Sequence, residues 1–228
     1  MNAQTSLSMR DAAVDARDRK RQTRPWLRGA ALVLVAAVSL PACAPVLVGG
    51  AVVSGALAYG DRRTSGTQVE DQAIELKALN RILEAVGERV HVNVTSYNRL
   101  VLLTGEAPEA RDRATVEQVV SRIEGVRSIV NEIAVMGKTS LTVRSNDGIL
   151  TARVKAGFID AKDLHSQAFK VVTERGVVHL MGRVTQREAD RSTEIARAVP
   201  GVAKVVRVFE ILTEAELANL EQSQGLKK

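Results

Sequence analysis

From residue 66 onward the apolar positions of the chain switch between two rhythms. Leu76, Leu79, Leu83 and Val86 recur at helical spacing, and Gly87 follows where a helix stop belongs. Val90, Val92 and Val94 then alternate with polar residues, the pattern of a half-buried strand. Tyr97, Asn98 and Arg99 predict a turn, and residues 100–104 a second strand that ends at Gly105. Pro108 suits the first turn of a helix carrying Val116, Val119, Val120 and Ile123. Gly125 closes that helix, and residues 126–135 predict a third strand.

The same order then recurs. Asp147 is placed to cap a helix bearing Leu150, Val154 and Phe158. Residues 169–173 are expected to pair with 177–181 through a turn at 174–176. Thr185 and Glu188 fit a capping box that opens a helix with Ile195 and Val199 on one face. Gly201 ends it, and residues 202–211 form the last strand. A shift of 77 lays Val94 on Val171, Leu103 on Leu180 and Gly105 on Gly182; a shift of 76 lays Gly125 on Gly201, Val126 on Val202 and Val130 on Val206. The pattern predicts an α+β protein of two tandem α-β-β-α-β units, each a three-stranded sheet with two helices on one face. Boundaries follow: one unit over 67–136, a linker over 137–146, a second unit over 147–213 and a tail over 214–228. In the tail, Thr213 and Glu216 suit the start of a short helix with Leu217 and Leu220.

The first 66 residues read differently. A polar, basic stretch precedes the uncharged run 29–40, which Pro41, Ala42 and Cys43 follow. Twelve residues of helix rise about 18 Å, short of a bilayer core of roughly 30 Å, so the run is expected to be a secretory signal and not a membrane span. Leu40-Pro41-Ala42-Cys43 resembles a bacterial lipobox, which implies removal of residues 1–42 and lipidation of Cys43 with palmitate-type acyl chains. Such chains, at about 0.8 kcal/mol per buried methylene, hold a protein on a membrane. Ala44 after the cysteine, by resemblance to lipoprotein sorting, implies an outer-membrane anchor facing the periplasm. Residues 43–66 are expected to be a lipidated apolar tether; its stretch 45–59 holds Gly49, Gly50 and Gly55, which disfavour a soluble helix.

Charge and composition narrow the function classes. The net charge of +6 suggests nucleic acid, but residues 1–42 supply seven of the 32 basic and three of the 26 acidic residues. What remains is nearly neutral, and six aromatic residues offer little base stacking. Of His91, His165 and His179 only His165 has an acidic neighbour at such spacing, Asp163, which reads as a surface pair; no phosphate loop, nucleophile elbow or zinc-protease motif appears, so neither an enzyme, a cofactor, a metal nor a small-molecule substrate is expected.

The order of elements, the strand-ending glycines Gly105 and Gly182, and the pairs Gly125-Val126 and Gly201-Val202 resemble the BON domain. Residues 66–71, 93–97 and 179–182 carry the likeness further, and the whole chain resembles the dual BON-domain periplasmic lipoproteins. That resemblance implies a non-catalytic envelope protein that supports outer-membrane integrity and binds anionic phospholipid through the first helix of its second domain. That helix is expected over about 147–159, with Ile149, Leu150, Ala152, Arg153 and Lys155 as candidate lipid contacts. Leu150, Val154 and Phe158 equally suit a helix covering its own sheet, whereas Ile149 and Ala152 point elsewhere. The first domain's helix, with Glu70, Asp71, Glu75 and Glu84, suits an anionic surface less and reads as a structural or partner-binding module. The alternative is a lipid-anchored adaptor for a protein partner such as outer-membrane assembly machinery or a cell-wall-associated protein.

Overall fold

A computed structural model describes residues 61–223; the signal, Cys43 and the expected tether up to residue 60 lie outside the described residues, whereas its last two residues, Ser65 and Gly66, already belong to the first helix. The first repeat runs α1 (Ser65–Val86), β1 (His91–Tyr97), β2 (Leu100–Ala107), α2 (Ala110–Ser121), β3 (Ser128–Asn131) and β4 (Ala134–Val135). The second runs α3 (Leu141–Asp160), β5 (Phe169–Glu174), β6 (Val177–Thr185), α4 (Gln186–Ala198) and β7 (Lys204–Leu212), followed by α5 (Glu214–Ser223). In each sheet a hairpin pairs antiparallel and the last strand lies parallel to the central one, in the orders β1-β2-β3 and β5-β6-β7. This is the expected α+β duplication, with helices covering one face of each sheet.

Sequence pattern and structure part company on α1. Leu76, Leu79 and Leu83 are 63%, 46% and 57% exposed, and Val86 alone of the expected four is buried. The core face is Ile74, Ala78, Ile82 and Val86, packed with Val101, Leu103, Val116 and Val120. The helix carries two apolar stripes, and the one that faces the sheet is also the one that bears Asp71.

Asp71 explains the choice. Its carboxylate, 1% exposed, accepts from the backbone N–H groups of Asn98 and Arg99 at 2.8 Å each and from the Ser96 hydroxyl at 2.6 Å. Asn98 and Arg99 both have positive φ, as a two-residue type I′ hairpin turn requires. Asp147 does the same in the second repeat, accepting from the N–H groups of Arg175 and Gly176 at 2.8 Å each. Asp147 is therefore no helix cap. Its helix starts earlier, at Leu141, with Ser140 as the cap, the equivalent of Thr64 before α1. Helical structure thus enters the stretch read as linker.

The third strand of the first repeat, expected over 126–135, is interrupted. Between β3 and β4 the Ile133 side chain turns into the core, 2% exposed, while its N–H is held by the Asn131 side chain. In the second repeat β7 is continuous over nine residues. Gly105 and Gly182, expected to end their strands, instead lie within β2 and β6, which run on to Ala107 and Thr185; they sit where backbones approach closely, a Cβ on Gly105 lying 2.0 Å from the His91 carbonyl oxygen and one on Gly182 2.5 Å from that of Ala168. The second helices end at Ser121 and Ala198, and Gly125 and Gly201 follow in the turns toward the last strands, at φ +90° and +98°. The capping box of α4 forms as expected, each partner of Thr185 and Glu188 bonding the other's backbone, and Thr213 with Glu216 opens α5 over a buried Leu217.

The remaining faces of the sheets meet each other. Tyr97, Leu102, Met181 and Val208 form a shared core between the repeats, flanked by Leu100, Val130, Val172 and Val206. The result is four layers, helices, sheet, sheet, helices, with α1 and α3 on opposite outer surfaces. Polar ties ring the contact: Arg175 to Glu106 at 2.9 Å, Asn93 to Glu174 at 3.0 Å, and Asn98 to Glu210 at 2.6 Å. A further tie comes from the segment before α1. Arg62, 2% exposed, donates to both carboxylate oxygens of Glu188 at 2.7 and 2.8 Å and to the Arg183 carbonyl. Burial works against ionisation of Glu188, but Arg62 and the Thr185 N–H outweigh it and hold the carboxyl below the usual range.

Candidate membrane-facing helix

Helix α3 owes its position to its inner face. Val154 and Phe158 are fully buried, and Phe158 packs on Phe169, which meets Phe209 edge-on, in the second core. Leu150 belongs to that inner face as well. It is 8% exposed, and its methyl sits 3.0 Å from where a Cβ on Gly201 would be. This corrects its reading as a lipid contact, because reaching a bilayer would strip the core of its packing. Gly157 lets α4 approach: a Cβ there would meet Ile195 at 2.8 Å.

The outer face keeps the other four candidates together. Ile149 is 48% exposed, and Ala152, Arg153 and Lys155 are exposed beside it. Spacing missed two further residues. Leu141 at the start of the helix is 80% exposed and Ile159 at its end 71%. With a 100° step per residue, Leu141, Ala152 and Ile159 lie on one line, with Ile149 and Ala156 on one side of it and Lys155 on the other. Leu141 falls outside the helix expected from 147, because the helix begins six residues earlier. Arg153 and Lys155 form no ion pair with any described residue. By contrast, Arg191 on α4 is engaged by Asp163 and Glu194. The face is therefore an apolar ridge flanked by two uncompensated cations, a chemistry suited to a surface that is apolar beneath and anionic above.

No group of acidic, histidine or cysteine side chains among the described residues is arranged to hold a metal. His179 is the most isolated polar group. It is 2% exposed in the layer between the sheets, and its Nε2 lies 3.8 Å from Glu132, outside hydrogen-bonding range. Burial, only partly opposed by Glu132, holds its imidazole below the ordinary value. No described helix is long and apolar enough to cross a membrane.

The family model for the BON domain matches the chain twice, over residues 70–137 and 146–213. The outer membrane lipoprotein DolP of Haemophilus influenzae is 36% identical over 192 residues, covering 82% of this chain and 97% of that protein. A 21 kDa hemolysin of Actinobacillus pleuropneumoniae is 35% identical over 65% of this chain and 78% of its own length. The osmotically inducible protein Y of Escherichia coli is 28% identical over 61% of this chain and 72% of its own length.

Proposed function

The chain belongs to the BON-domain family, with two copies in tandem, and on that premise we propose that it is a non-catalytic outer-membrane lipoprotein that supports envelope integrity. Acylation of Cys43 anchors it facing the periplasm, and α3 of the second repeat reads anionic phospholipid. Similarity to a protein named as an outer-membrane lipoprotein, along nearly all of that protein's length, supports the location. The observation that carries the lipid reading is the outer face of α3: Leu141, Ile149 and Ile159 exposed beside Arg153 and Lys155. Apolar side chains enter the headgroup boundary while each cation near an anionic surface contributes about 1 kcal/mol.

Co-sedimentation of residues 61–228, which omit the apolar stretch 45–59 but keep Arg62, with vesicles, with and without anionic lipid, tests the reading. Binding is expected only with anionic lipid, and Ile149→Asp combined with Arg153→Glu is expected to abolish it at unchanged thermal stability. Failure of the wild-type fragment to bind either vesicle would sink the lipid reading and make the adaptor reading the leading one.

A further inference from the structure

Glu174, the last residue of β5, breaks the pattern of the repeat. The shift of 77 that lays Gly105 on Gly182 also lays Tyr97 on Glu174, so a carboxylate stands where the first repeat buries an aromatic ring. Glu174 is only 4% exposed, yet its hydrogen bonding is incomplete. Oε2 accepts from the Asn93 side chain at 3.0 Å, and Oε1 has no hydrogen-bond partner among the described residues. Two buried carboxylates nearby are better served. Asp147 accepts from two backbone N–H groups, and Glu106 accepts from the Thr139 N–H and hydroxyl and from Arg175. Burial, and then Glu106 and Asp147, push the Glu174 carboxyl above its ordinary value, with Asn93 and Arg175 opposing. A buried, half-partnered carboxylate costs stability that an apolar side chain would not. A rule kept in one repeat and broken in the other marks a site.

Glu174 lines a cleft of about 430 Å³ formed by β1 of the first repeat and by α3 and β5 of the second. The cleft carries charge of both signs. Arg144, near the start of α3, reaches the Thr139 hydroxyl through Nε at 3.5 Å, and its two terminal nitrogens have no partner among the described residues. It lies near enough to His91 to help burial hold that imidazole below its ordinary value. His91 and Asn93 stand two residues apart on the same face of β1, so the Arg144 end and the Glu174 end are roughly 7 Å apart. Asp147 lines the cleft as well, but both of its oxygens are committed to the hairpin turn. What the cleft leaves idle is therefore a guanidinium at one end and a carboxylate oxygen at the other.

We propose that this cleft binds a small zwitterion of the amino-acid or dipeptide type, its ammonium on Glu174 and its carboxylate on Arg144. The ammonium supplies the donor that Oε1 lacks and offsets the negative charges of Glu106 and Asp147. The carboxylate takes the free guanidinium nitrogens as a forked pair. Both charges are needed, because a simple anion would meet Glu174 and a simple cation would meet Arg144. Between the two ends, Thr151 donates to the Thr173 hydroxyl at 2.7 Å, which leaves the Thr173 hydrogen for the ligand. The site is independent of the outer face of α3.

The test titrates the acylated protein in nanodiscs with glycylglycine by calorimetry. Saturable binding in the millimolar range is expected. It is expected to weaken about tenfold when the peptide is N-acetylated, when its carboxylate is amidated, or in Arg144→Met. Glu174→Gln keeps the side chain's shape and an acceptor for Asn93 while removing the buried charge. It is expected to weaken binding by a similar factor yet to melt no lower than the wild type, an outcome that a merely structural carboxylate would not give. Absence of saturable binding, equal binding of either blocked peptide, unchanged affinity in Arg144→Met or Glu174→Gln, or a lower melting temperature of Glu174→Gln would each overturn the proposal. So would binding of O-phosphoethanolamine in place of glycylglycine, which would assign the cleft to a lipid headgroup.

Discussion

The helices that open the two repeats begin alike and end alike on their inner faces, yet present different outer surfaces. Thr64 and Ser140 cap them, and Asp71 and Asp147 reach from the second turns to hold the hairpins. Outside, α1 shows Val69, Leu76, Leu79 and Leu83; at the matching positions α3 has Ser145, Ala152, Lys155 and Ile159. Duplication thus fixed what folds the unit and left the solvent face free to diverge. Because the sheets stack back to back, the two outer faces point in opposite directions, and a molecule resting α3 on a bilayer turns α1 away from it.

The sharpest difference lies at the second helices, where Glu188 and Asp112 occupy equivalent positions. Glu188 is paired with Arg62, both buried, whereas Asp112 is paired at 3.1 Å with Arg89, which is 55% exposed. Arg62→Ala is expected to cost about 3–5 kcal/mol in chemical denaturation, because it strands a buried carboxylate. Arg89→Ala also leaves a buried carboxylate, Asp112, but the departing side chain is more than half exposed and water can follow it in, so a smaller cost of about 1–3 kcal/mol is expected. Equal losses would show that the two repeats are tied down in the same way.

The two stripes of α1 offer a smaller contrast. Ile74→Ala is expected to lower stability by about 2–4 kcal/mol through lost packing. Leu76→Ala on the outer stripe is expected to stay within about 0.5 kcal/mol. A large loss at Leu76 would mean that something covers the outer stripe.

The smallest effect concerns acid. His179 stands where the first repeat has Leu102, in the layer between the sheets. Its depressed pKa means that the unfolded chain takes up a proton before the folded protein does. Stability is therefore full above the unfolded imidazole value of about 6.5 and declines as pH falls below it. Denaturation midpoints measured from pH 7.5 down to 5.5 are expected to show this slope and His179→Leu to remove that part of it. An unchanged slope in the variant would assign the acid sensitivity elsewhere.

What sequence made legible was whatever is local. The glycine marks, the Thr185–Glu188 box and the alternation of Val90, Val92 and Val94 each depend on residues a few positions apart, and the duplicated unit follows from them. What escaped depends on distant partners. Nothing in α1 alone says that Ile74 and Ala78 face the sheet while the larger leucines do not; that is decided by Asp71 and a turn nearly thirty residues away. Asp147 was misread for the same reason, and with it the start of α3 and the exposed Leu141. Helical spacing leaves Leu150 ambiguous, and only its contact with the distant Gly201 assigns it to the inner face. The contact between sheets was hidden because β2 and β6 are apolar on both faces, which a single strand reports only as hydrophobic.

Arg62 also decides how force enters the molecule. In the chain it precedes the first repeat, but its guanidinium is bolted to Glu188 and Arg183 of the second. The next residue, Arg63, pairs with Asp71 of α1 at 2.8 Å. Two consecutive arginines thus fasten the entry of the chain to both repeats at once, and a load arriving at Asp61 would be shared between them.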